Sequence, residues 1–218
     1  MTGPRRQVEL LEKNRPRQER AKRTYEAILN AAAELLVEVG VERISTNLIA
    51  ERAGITVPAL YRYFPNKYAV INALGAGLMD RQNQVFQQWF DAHTPGADPQ
   101  QLMLHVYDLL QHTYQVTLEQ HGGLEISQSL RAVGPLQELR LTSHNLMAEQ
   151  FALILSEVLG QAVDEVMSMQ ARMSVDIGYG VVEMALENPT DQVELILQEG
   201  TRILQSYWEG ILQARQEV

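Results

Sequence analysis

The sequence predicts an all-α protein of about nine helices. Apolar residues recur every three or four positions along most of the chain, which is the spacing of a helix with one buried face. No segment alternates apolar and polar residues between hairpin turns, as strands would. Glycine and proline fall between the predicted helices, at Gly122-Gly123, Gly134-Pro135, Gly160 and Asn188-Pro189 and in the loop over 93–99.

Composition limits the classes of protein that this chain can be. Its 218 residues are enough for one large or two small domains with a buried core, and 45% of them are apolar. The absence of cysteine excludes disulfides, thiolate metal sites and cysteine nucleophiles. The opening segment lacks the apolar stretch of a signal peptide, and no run reaches the roughly 18 apolar residues of a membrane span. We therefore expect a soluble, cytoplasmic protein without a membrane partner.

Charge divides the chain near residue 70. The net charge is −9, but residues 1–70 hold 12 Lys and Arg against 8 Asp and Glu, whereas residues 71–218 hold 6 against 19. A phosphate backbone would attract the first part and repel the second. An acidic surface that only aids solubility explains the second part equally well, but it explains the basic first part less well. The predicted organisation is an arm over 1–18, a small basic domain over 19–70 and a second domain over 71–218.

The first 18 residues are predicted to form a mobile basic arm. They contain two prolines, few apolar residues and the basic side chains Arg5, Arg6, Lys13, Arg15 and Arg17. Such an arm can follow a nucleic-acid backbone or enter a minor groove. The alternative is a disordered tail that adds only non-specific attraction. An apolar stripe over 18–39, which Gly40 ends, then predicts the first amphipathic helix.

Residues 45–67 have the spacing of a helix, a tight turn and a second short helix. Ser45 or Thr46 can cap the first helix through a hydroxyl group. Gly54 can adopt the positive φ of the turn at little steric cost. Thr56 can cap the second helix, and Pro58 fits in its first turn, where a missing N–H breaks no hydrogen bond.

These two short helices are predicted to bury one side and to expose the other. The predicted buried positions are Leu48, Ile49, Ala53, Leu60 and Phe64. The outward face of the second helix carries Val57, Pro58, Ala59, Tyr61 and Arg62, a mixture that suits base edges and phosphates. The segment is therefore a helix-turn-helix, and it predicts a protein that binds double-stranded DNA.

The same segment resembles the signature of the TetR family of bacterial transcriptional regulators. The resemblance covers residues 20–75, and its matching positions are Ile49-Ala50, Ala53-Gly54-Ile55, Leu60-Tyr61, Tyr63-Phe64 and Lys67. It implies that phosphates are held by Ser45, Thr46, Tyr61 and Lys67, while the groove is faced by Thr56, Val57, Pro58, Ala59 and Arg62.

Three residues of this predicted groove-facing group determine the expected base contacts. Arg62 is the candidate for a bidentate guanine contact. Val57 and Pro58 depart from the polar or glycine residues often found there in the family, which suggests contact with thymine methyl groups.

Further helices are predicted over about 67–92, 99–120, 123–132, 135–159, 163–187 and 190–215. The last two have apolar faces wider than one core contact requires. A four-helix bundle formed by two copies of the chain would cover them, and this resembles how the family dimerises. The alternative is that both faces pack within one subunit. The predicted dimer interface comprises Met173, Ile177, Val181, Leu197, Leu204, Tyr207, Trp208 and Ile211.

The resemblance also implies a regulator, most simply a repressor that a small-molecule effector releases from a palindromic operator. An activator, or a regulator without an effector, would have the same signature. An acidic second domain would favour a cationic lipophilic effector. The pocket candidates are flexible or aromatic residues on helices that should surround the interior, although such residues are more often plain core. They are Phe86, Trp89, Phe90, Met103, Tyr107, Tyr114, Met147 and Met173.

We expect no catalytic site, no cofactor and no metal. The alternative is an all-helical enzyme with a histidine base, but neither a nucleophile nor a phosphate-binding glycine loop accompanies the candidate histidines. Those candidates are His105, His112, His121 and His144. His105, Asp108 and His112 lie near one helix face, yet a metal site needs further ligands that the sequence does not place.

Overall fold

The structure is a computed structural model that describes residues 8–14, 16, 18–96, 98–188 and 190–216. Within these residues it contains ten α-helices and no strand, so the all-α prediction is confirmed. A short 3₁₀ turn over Gly134–Leu136 precedes the eighth helix. The helices are α1 (Glu19–Arg43), α2 (Thr46–Arg52), α3 (Val57–Tyr61), α4 (Lys67–His93), α5 (Pro99–Leu104), α6 (Val106–Glu119), α7 (Gly123–Ala132), α8 (Gln137–Leu159), α9 (Glu165–Glu187) and α10 (Val193–Gln216).

The tenth helix arises because the predicted helix over 99–120 is interrupted at His105. Backbone carbonyls at this break accept hydrogen bonds from side chains of other helices. Trp89 Nε1 donates to the His105 carbonyl at 2.8 Å, and Gln205 Nε2 donates to the Met103 carbonyl at 2.8 Å. These tertiary hydrogen bonds stabilise an irregular backbone where neither glycine nor proline marks a break, so the sequence pattern does not reveal it.

The regular part of α1 ends where the sequence predicts. Gly40 has φ +75° and ψ 168°, a conformation that an L-residue rarely adopts and that interrupts the helical hydrogen bonding. One further turn follows it, up to Arg43.

The chain divides into two compact units, each with its own core. The first unit contains residues 1–79 and 119–141, and the second contains residues 80–118 and 142–218. The first unit therefore extends beyond the predicted basic domain over 19–70, because it also includes the start of α4 and all of α7. The predicted domain bounds stay a prediction.

The core of the first unit is built from one face of α1 and the inner sides of the two short helices. Phe64 is fully buried, and its ring stacks on that of Tyr25 with centroids 5.2 Å apart. The other large side chains that this core buries almost completely include Ile28, Leu36, Ile44, Ile49, Leu60 and Ile71. Burial of this kind contributes about 1.5–3 kcal/mol for each large apolar side chain, so this core holds the short helices in place.

The second unit has α9 and α10 packed against each other. A Cβ added at Gly200 of α10 would overlap the Val181 side chain of α9, so the close approach requires glycine. Trp208 is buried, and its Nε1 donates a hydrogen bond to Ser174 Oγ at 3.0 Å. None of the helices in the described part of the chain is long and apolar enough to cross a membrane.

Candidate functional site

The turn between α2 and α3 has the local geometry that the sequence predicts. Ser45 Oγ accepts a hydrogen bond from Leu48 N at 3.3 Å and so caps α2. Gly54 takes a φ of +66°, and Ile55 N donates to the Ala50 carbonyl at 2.9 Å to close the turn. A β-carbon at Gly54 would meet no neighbour, so the glycine is needed for its backbone conformation and not for space.

The inner side of the motif matches the prediction except at one position. Ile49, Leu60 and Phe64 are completely buried, and Ala53 packs against the same core. Leu48, which was predicted to be buried, is 38% exposed. The prediction for Leu48 is wrong because a helix of seven residues buries only a narrow stripe, and Ile49 with Ala50 fills it.

The outer side of α3 faces away from the core of the first unit. Thr56, Pro58 and Arg62 are exposed, Tyr61 is 41% exposed, and Val57 and Ala59 are half-buried. The Thr56 hydroxyl makes no capping hydrogen bond, contrary to the expectation that it caps this helix. Its hydroxyl therefore stays available to an external partner. The five predicted groove-facing residues lie together on this short helix and at its two ends.

The predicted phosphate-holding residues have partners within the first unit. Thr46 Oγ1 lies 3.1 Å from Tyr61 Oη, which joins α2 to α3 through two hydroxyl groups. Lys67 Nζ donates to the Val41 carbonyl at 3.0 Å and to the Glu42 carbonyl at 3.3 Å. Lys67 therefore caps the end of α1, and only its third N–H remains for a phosphate.

Arg52 connects α2 to α1 and was not singled out from the sequence. Its Nη1 lies 3.1 Å from Glu34 Oε2, and its Nη2 lies 2.6 Å from Glu38 Oε2. The hydrogen bond from Arg52 lowers the pKa of the Glu38 carboxyl group. Glu34 and Glu38 are four residues apart and so share one face of α1, where both carboxylates reach the Arg52 guanidinium.

The described part of the predicted arm is attached to the first unit. Lys13 N donates to the Tyr63 carbonyl at 2.7 Å, and Asn14 Nδ2 donates to the Arg62 carbonyl at 3.0 Å. Asn66 Nδ2 donates to the Glu9 carbonyl at 2.8 Å. Residues 9–14 thus differ from the predicted mobile arm, because tertiary hydrogen bonds tie them to the end of α3 and the start of α4. The arm residues Arg5, Arg6, Arg15 and Arg17 lie outside the described residues.

A cavity of about 90 Å³ lies inside the second unit. Four of the predicted pocket residues line it: Phe86, Trp89, Met103 and Met147. Much of the remaining wall is not predicted from the sequence. It is provided by α9 and α10 through Ser174, Val175, Gly178, Tyr179, Val182, Leu204 and Trp208. Leu204 and Trp208 are assigned to the dimer interface from the sequence, because helical periodicity alone cannot tell which neighbour covers a face. Ser174, Val175, Tyr179 and Val182 receive no assignment from the sequence.

The other four pocket candidates lie elsewhere. Phe90, Tyr107 and Tyr114 are half-buried and pack at the edge of the same core without lining the cavity. Met173 is 46% exposed on the outer side of α9, so its assignment to the pocket is corrected. Core side chains and cavity side chains share the same spacing, which is why the sequence does not separate them.

The cavity wall is apolar apart from a few uncharged polar groups. Gln82 Nε2 donates to Thr117 Oγ1 at 2.9 Å, which leaves its side-chain oxygen without a partner among the described residues. The Tyr179 hydroxyl makes no hydrogen bond to any part of the chain that the structure describes. Burial raises the pKa of Tyr179, so its phenol stays protonated at neutral pH and can donate a hydrogen bond. No Asp, Glu, Lys or Arg is among the described residues of this wall.

His144 lies behind Tyr179, and their rings stack with centroids 4.2 Å apart. It is buried, and its Nδ1 lies 2.7 Å from Asp176 Oδ1. Burial of Asp176 opposes its ionisation, but hydrogen bonds from Arg172 and His144 outweigh this and lower its pKa. Two of the other candidate bases, His112 and His121, are exposed on the surface.

The predicted dimer interface separates into an outer and an inner set. Leu197, Leu204 and Trp208 are buried within the chain itself, so their assignment to the interface is wrong. They lie on the side of α10 that faces the core of the second unit. Ile177 and Val181 are half-buried beside them.

An exposed apolar stripe nevertheless remains on α9 and α10. On α9 it contains Val166, Met169, Met173 and Met184, which are 46–59% exposed. Tyr207 Oη lies 3.9 Å from Met173 Sδ, so the stripe continues onto α10. There it contains Ile203, Tyr207 and Ile211, of which Ile203 is exposed and the others are half-buried. We call these seven residues the outer stripe.

The first unit matches a known family in sequence. Residues 28–74 match the model for bacterial regulatory proteins of the tetR family. The class C tetracycline repressor protein of Escherichia coli is 44% identical over 54 residues, which are 25% of this chain and 25% of that repressor. The chain thus matches only about a quarter of the length of this curated relative. The predicted resemblance to the TetR family is confirmed for this segment.

Most of the chain matches solved structures in fold. A TetR-family transcriptional regulator from Streptomyces coelicolor has a TM-score of 0.55 and 24% identity, over 85% of this chain and 98% of that one. SmeT, the repressor of the Stenotrophomonas maltophilia multidrug efflux pump SmeDEF, has a TM-score of 0.63 and 22% identity, over 88% of this chain and 92% of that one. SmeT is also solved in complex with triclosan. An N-terminal helix-turn-helix followed by further helices is therefore the observed architecture.

Proposed function

We propose that this chain is a transcriptional regulator that binds a palindromic DNA operator as a dimer and releases it when a small uncharged molecule enters the cavity of the second unit. The observation that carries the proposal is the outer side of α3. A short helix with exposed Thr56, Pro58, Tyr61 and Arg62 stands on a buried frame, within the segment that matches the tetR family. A rigid helix with exposed polar ends is what major-groove recognition requires.

The contacts divide into those that position the protein and those that read sequence. Tyr61 and Thr46 would hold one phosphate through their adjacent hydroxyl groups, and Ser45 a neighbouring one. Lys67 would contribute its remaining N–H, so we expect a smaller part for it than the resemblance alone implies. Arg62 would read a guanine edge, a contact worth about 1–3 kcal/mol of discrimination.

Dimerisation is proposed through the outer stripe. Seven apolar side chains on two adjacent helices form a larger exposed apolar patch than isolated surface residues do, and such patches mark association sites. A two-fold pair of these helix hairpins would bury the same stripe from both copies. One copy of α3 contacts only a few base pairs, so pairing supplies the affinity and sets the distance between half-sites.

The effector is proposed to be uncharged and largely apolar. A charged ligand would lose its hydration inside the cavity and would find no opposite charge in the wall. The cavity therefore does not favour the cationic effector that is expected from the acidic composition. Such a molecule would accept a hydrogen bond from Tyr179 and donate one to the free oxygen of Gln82.

The size of the cavity suggests how effector binding could move helices outside the cavity. Its volume of about 90 Å³ is smaller than the roughly 300–1,000 Å³ of sites for drug-sized ligands. An effector must therefore move wall helices apart, and α4, which carries Gln82, Phe86 and Trp89 in the wall, also carries Lys67 at its start. A preference of about 1–3 kcal/mol for the displaced arrangement would weaken DNA binding 5- to 150-fold.

Selection from a pool of random duplexes with the full chain tests the DNA-binding part. We expect enrichment of an inverted repeat with half-sites about one helical turn apart or slightly more, and an affinity that falls steeply with salt. Enrichment of no sequence, or a flat salt response, would contradict the proposal.

Intrinsic fluorescence tests the effector part, because both tryptophans of the chain, Trp89 and Trp208, line the cavity. Triclosan is a suitable probe, since SmeT is solved with it and it combines two aromatic rings with one hydroxyl group. We expect it to change the fluorescence and to release the selected duplex. Tyr179→Phe should weaken both effects, whereas Tyr107→Phe, outside the wall, should not. An unchanged signal with triclosan and other uncharged aryl compounds would argue against an effector site here.

A further inference from the structure

Three potential metal ligands meet in the second unit at the break between α5 and α6. They are His93, the last residue of α4, His105 at the break itself, and Asp108 in the first turn of α6. One ligand atom from each lies within 4.8 Å of the other two. The rings of His93 and His105 stack with centroids 3.8 Å apart, and His105 Nδ1 lies 3.5 Å from Asp108 Oδ2. All three residues are half-buried, so water and ions can reach them.

We propose that His93, His105 and Asp108 bind a divalent transition-metal ion of the Zn²⁺ type. Two imidazole nitrogens and one carboxylate oxygen form a donor set that suits such ions, whereas Mg²⁺ and Ca²⁺ prefer oxygen ligands alone. Protein–metal distances of about 2.0–2.2 Å place tetrahedral ligand atoms about 3.3 Å apart. The ligand atoms therefore need to approach one another by up to about 1.5 Å, which requires rotation of these partly exposed side chains, the two stacked imidazole rings included. Three protein ligands leave one position for water or another molecule.

The break in the helix is what brings this set together. A continuous helix over 99–120 would place His105, Asp108 and His112 one after another along one face. The break places His105 against the end of α4, where His93 supplies the further ligand that the sequence could not place. His112 is exposed two turns along α6, about 10 Å beyond His105, and does not join the set.

Trp89 links this site to the cavity. Its ring lies 5.7 Å from that of His93, and its Nε1 donates to the His105 carbonyl at 2.8 Å. The same indole lines the cavity. A bound ion would join the end of α4 to the α5–α6 break through His93 and His105, which both contact Trp89. We therefore expect ion binding to change the environment of this wall residue. The metal site itself does not depend on the proposed effector.

Calorimetric titration of the full, chelator-treated chain with Zn²⁺ tests the site. We expect one ion per chain at micromolar affinity and no comparable heat with Mg²⁺. His93→Ala, His105→Ala and Asp108→Ala should each weaken binding by more than about tenfold, since even outer partners of metal ligands contribute this much. His112→Ala is the matched control and should bind like the parent chain.

Two further measurements separate a lost ligand from a lost fold. Circular dichroism without metal should give the same helicity for all four variants, because none of these side chains is part of the buried core. Zn²⁺ should change the tryptophan fluorescence of the parent and of His112→Ala only. Absence of stoichiometric Zn²⁺ binding, or equal loss in His112→Ala and His105→Ala, would overturn the proposal.

Discussion

In the first unit, the residues that would face DNA follow from the chemistry of one turn, whereas in the second unit the sequence predicts helices without showing what each face contacts. Ser45, Gly54 and Pro58 each perform a local backbone task, and these tasks fix which side of α3 is buried. Trp89, Met173 and Leu197 are all apolar, yet Trp89 lines a cavity, Met173 is exposed and Leu197 fills a core. The conformation of a turn can thus be predicted from its own residues, but the packing of a helix face depends on partners that are distant in the sequence.

Buried and exposed aromatic residues of the helix-turn-helix should differ most in their effect on stability. Phe64→Ala removes a fully buried ring that stacks on Tyr25, and we expect a loss of about 3–5 kcal/mol in the free energy of unfolding. Tyr61→Ala, three residues earlier and 41% exposed, should change that free energy by less than about 1 kcal/mol while weakening binding to all duplexes. Urea unfolding and fluorescence anisotropy measure the two quantities. Equal destabilisation by both substitutions would break the division into buried and DNA-facing sides.

The next effect concerns the outer stripe of the second unit. Met173→Glu places a charge in the proposed dimer interface, where its dehydration costs several kcal/mol, so we expect monomers at micromolar concentration. Light scattering should report about 24.6 kDa in place of twice that mass. Leu195→Glu is the matched control, since Leu195 is 58% exposed on another side of α10. A dimer that survives Met173→Glu would move the interface away from α9.

A smaller effect distinguishes reading from positioning on α3. Arg62→Ala should lose about 1–3 kcal/mol for the selected operator and little for unrelated duplexes, because a bidentate base contact carries sequence information. Tyr61→Ala should weaken both alike. Competition between the operator and a scrambled duplex measures the ratio. If Arg62→Ala lowers both affinities equally, Arg62 holds a phosphate and does not read a base.

The smallest effect is a dependence of stability on pH from Asp176. Its pKa is lowered from the ordinary value of 3.8, so the folded state holds this carboxylate ionised more strongly than the unfolded chain does. The contribution of Asp176 to the free energy of unfolding is present above the unfolded-state pKa. It is lost as the pH falls through the lower pKa of the folded state. Asp176→Asn should remove it at neutral pH and flatten the acid side of the stability curve. The carboxylate is 43% exposed, so we expect less than about 1 kcal/mol.

Thermal unfolding across the acid range measures this difference. Asp191→Asn, at an exposed site between α9 and α10, is the control and should keep the parent curve. If stability falls more steeply with decreasing pH in Asp176→Asn than in the parent, the Asp176 carboxylate does not stabilise the folded state. That result would contradict the assigned hydrogen bonds.

What the sequence predicts and what it misses have a common physical basis. Helix positions, the glycine that ends the regular part of α1, and the α2–α3 turn depend on residues close in the chain, and they agree with the structure. The break at His105 depends on hydrogen bonds from Trp89 and Gln205, which no local pattern reveals. The attachment of residues 9–14 to the motif is of the same kind, since their partners lie some fifty residues away.

The candidate sites show the same limit at the level of side chains. Lys67 matches the family signature, but only the structure shows that Val41 and Glu42 occupy two of its N–H groups. Leu197, Leu204 and Trp208 belong to a wide apolar face, and the core of their own chain covers the part they occupy. Width of an apolar face predicts a second partner, but it does not identify which residues that partner touches.

Methylation protection of the selected duplex shows whether α3 lies in the major groove, because dimethyl sulfate reports access to guanine N7 there. With the full chain, we expect two protected major-groove segments about one helical turn apart or slightly more. Arg62→Ala should restore reactivity at one guanine in each half-site. A single protected segment, or a footprint that Arg62→Ala leaves unchanged at every guanine, would show that paired α3 helices do not read the operator through Arg62.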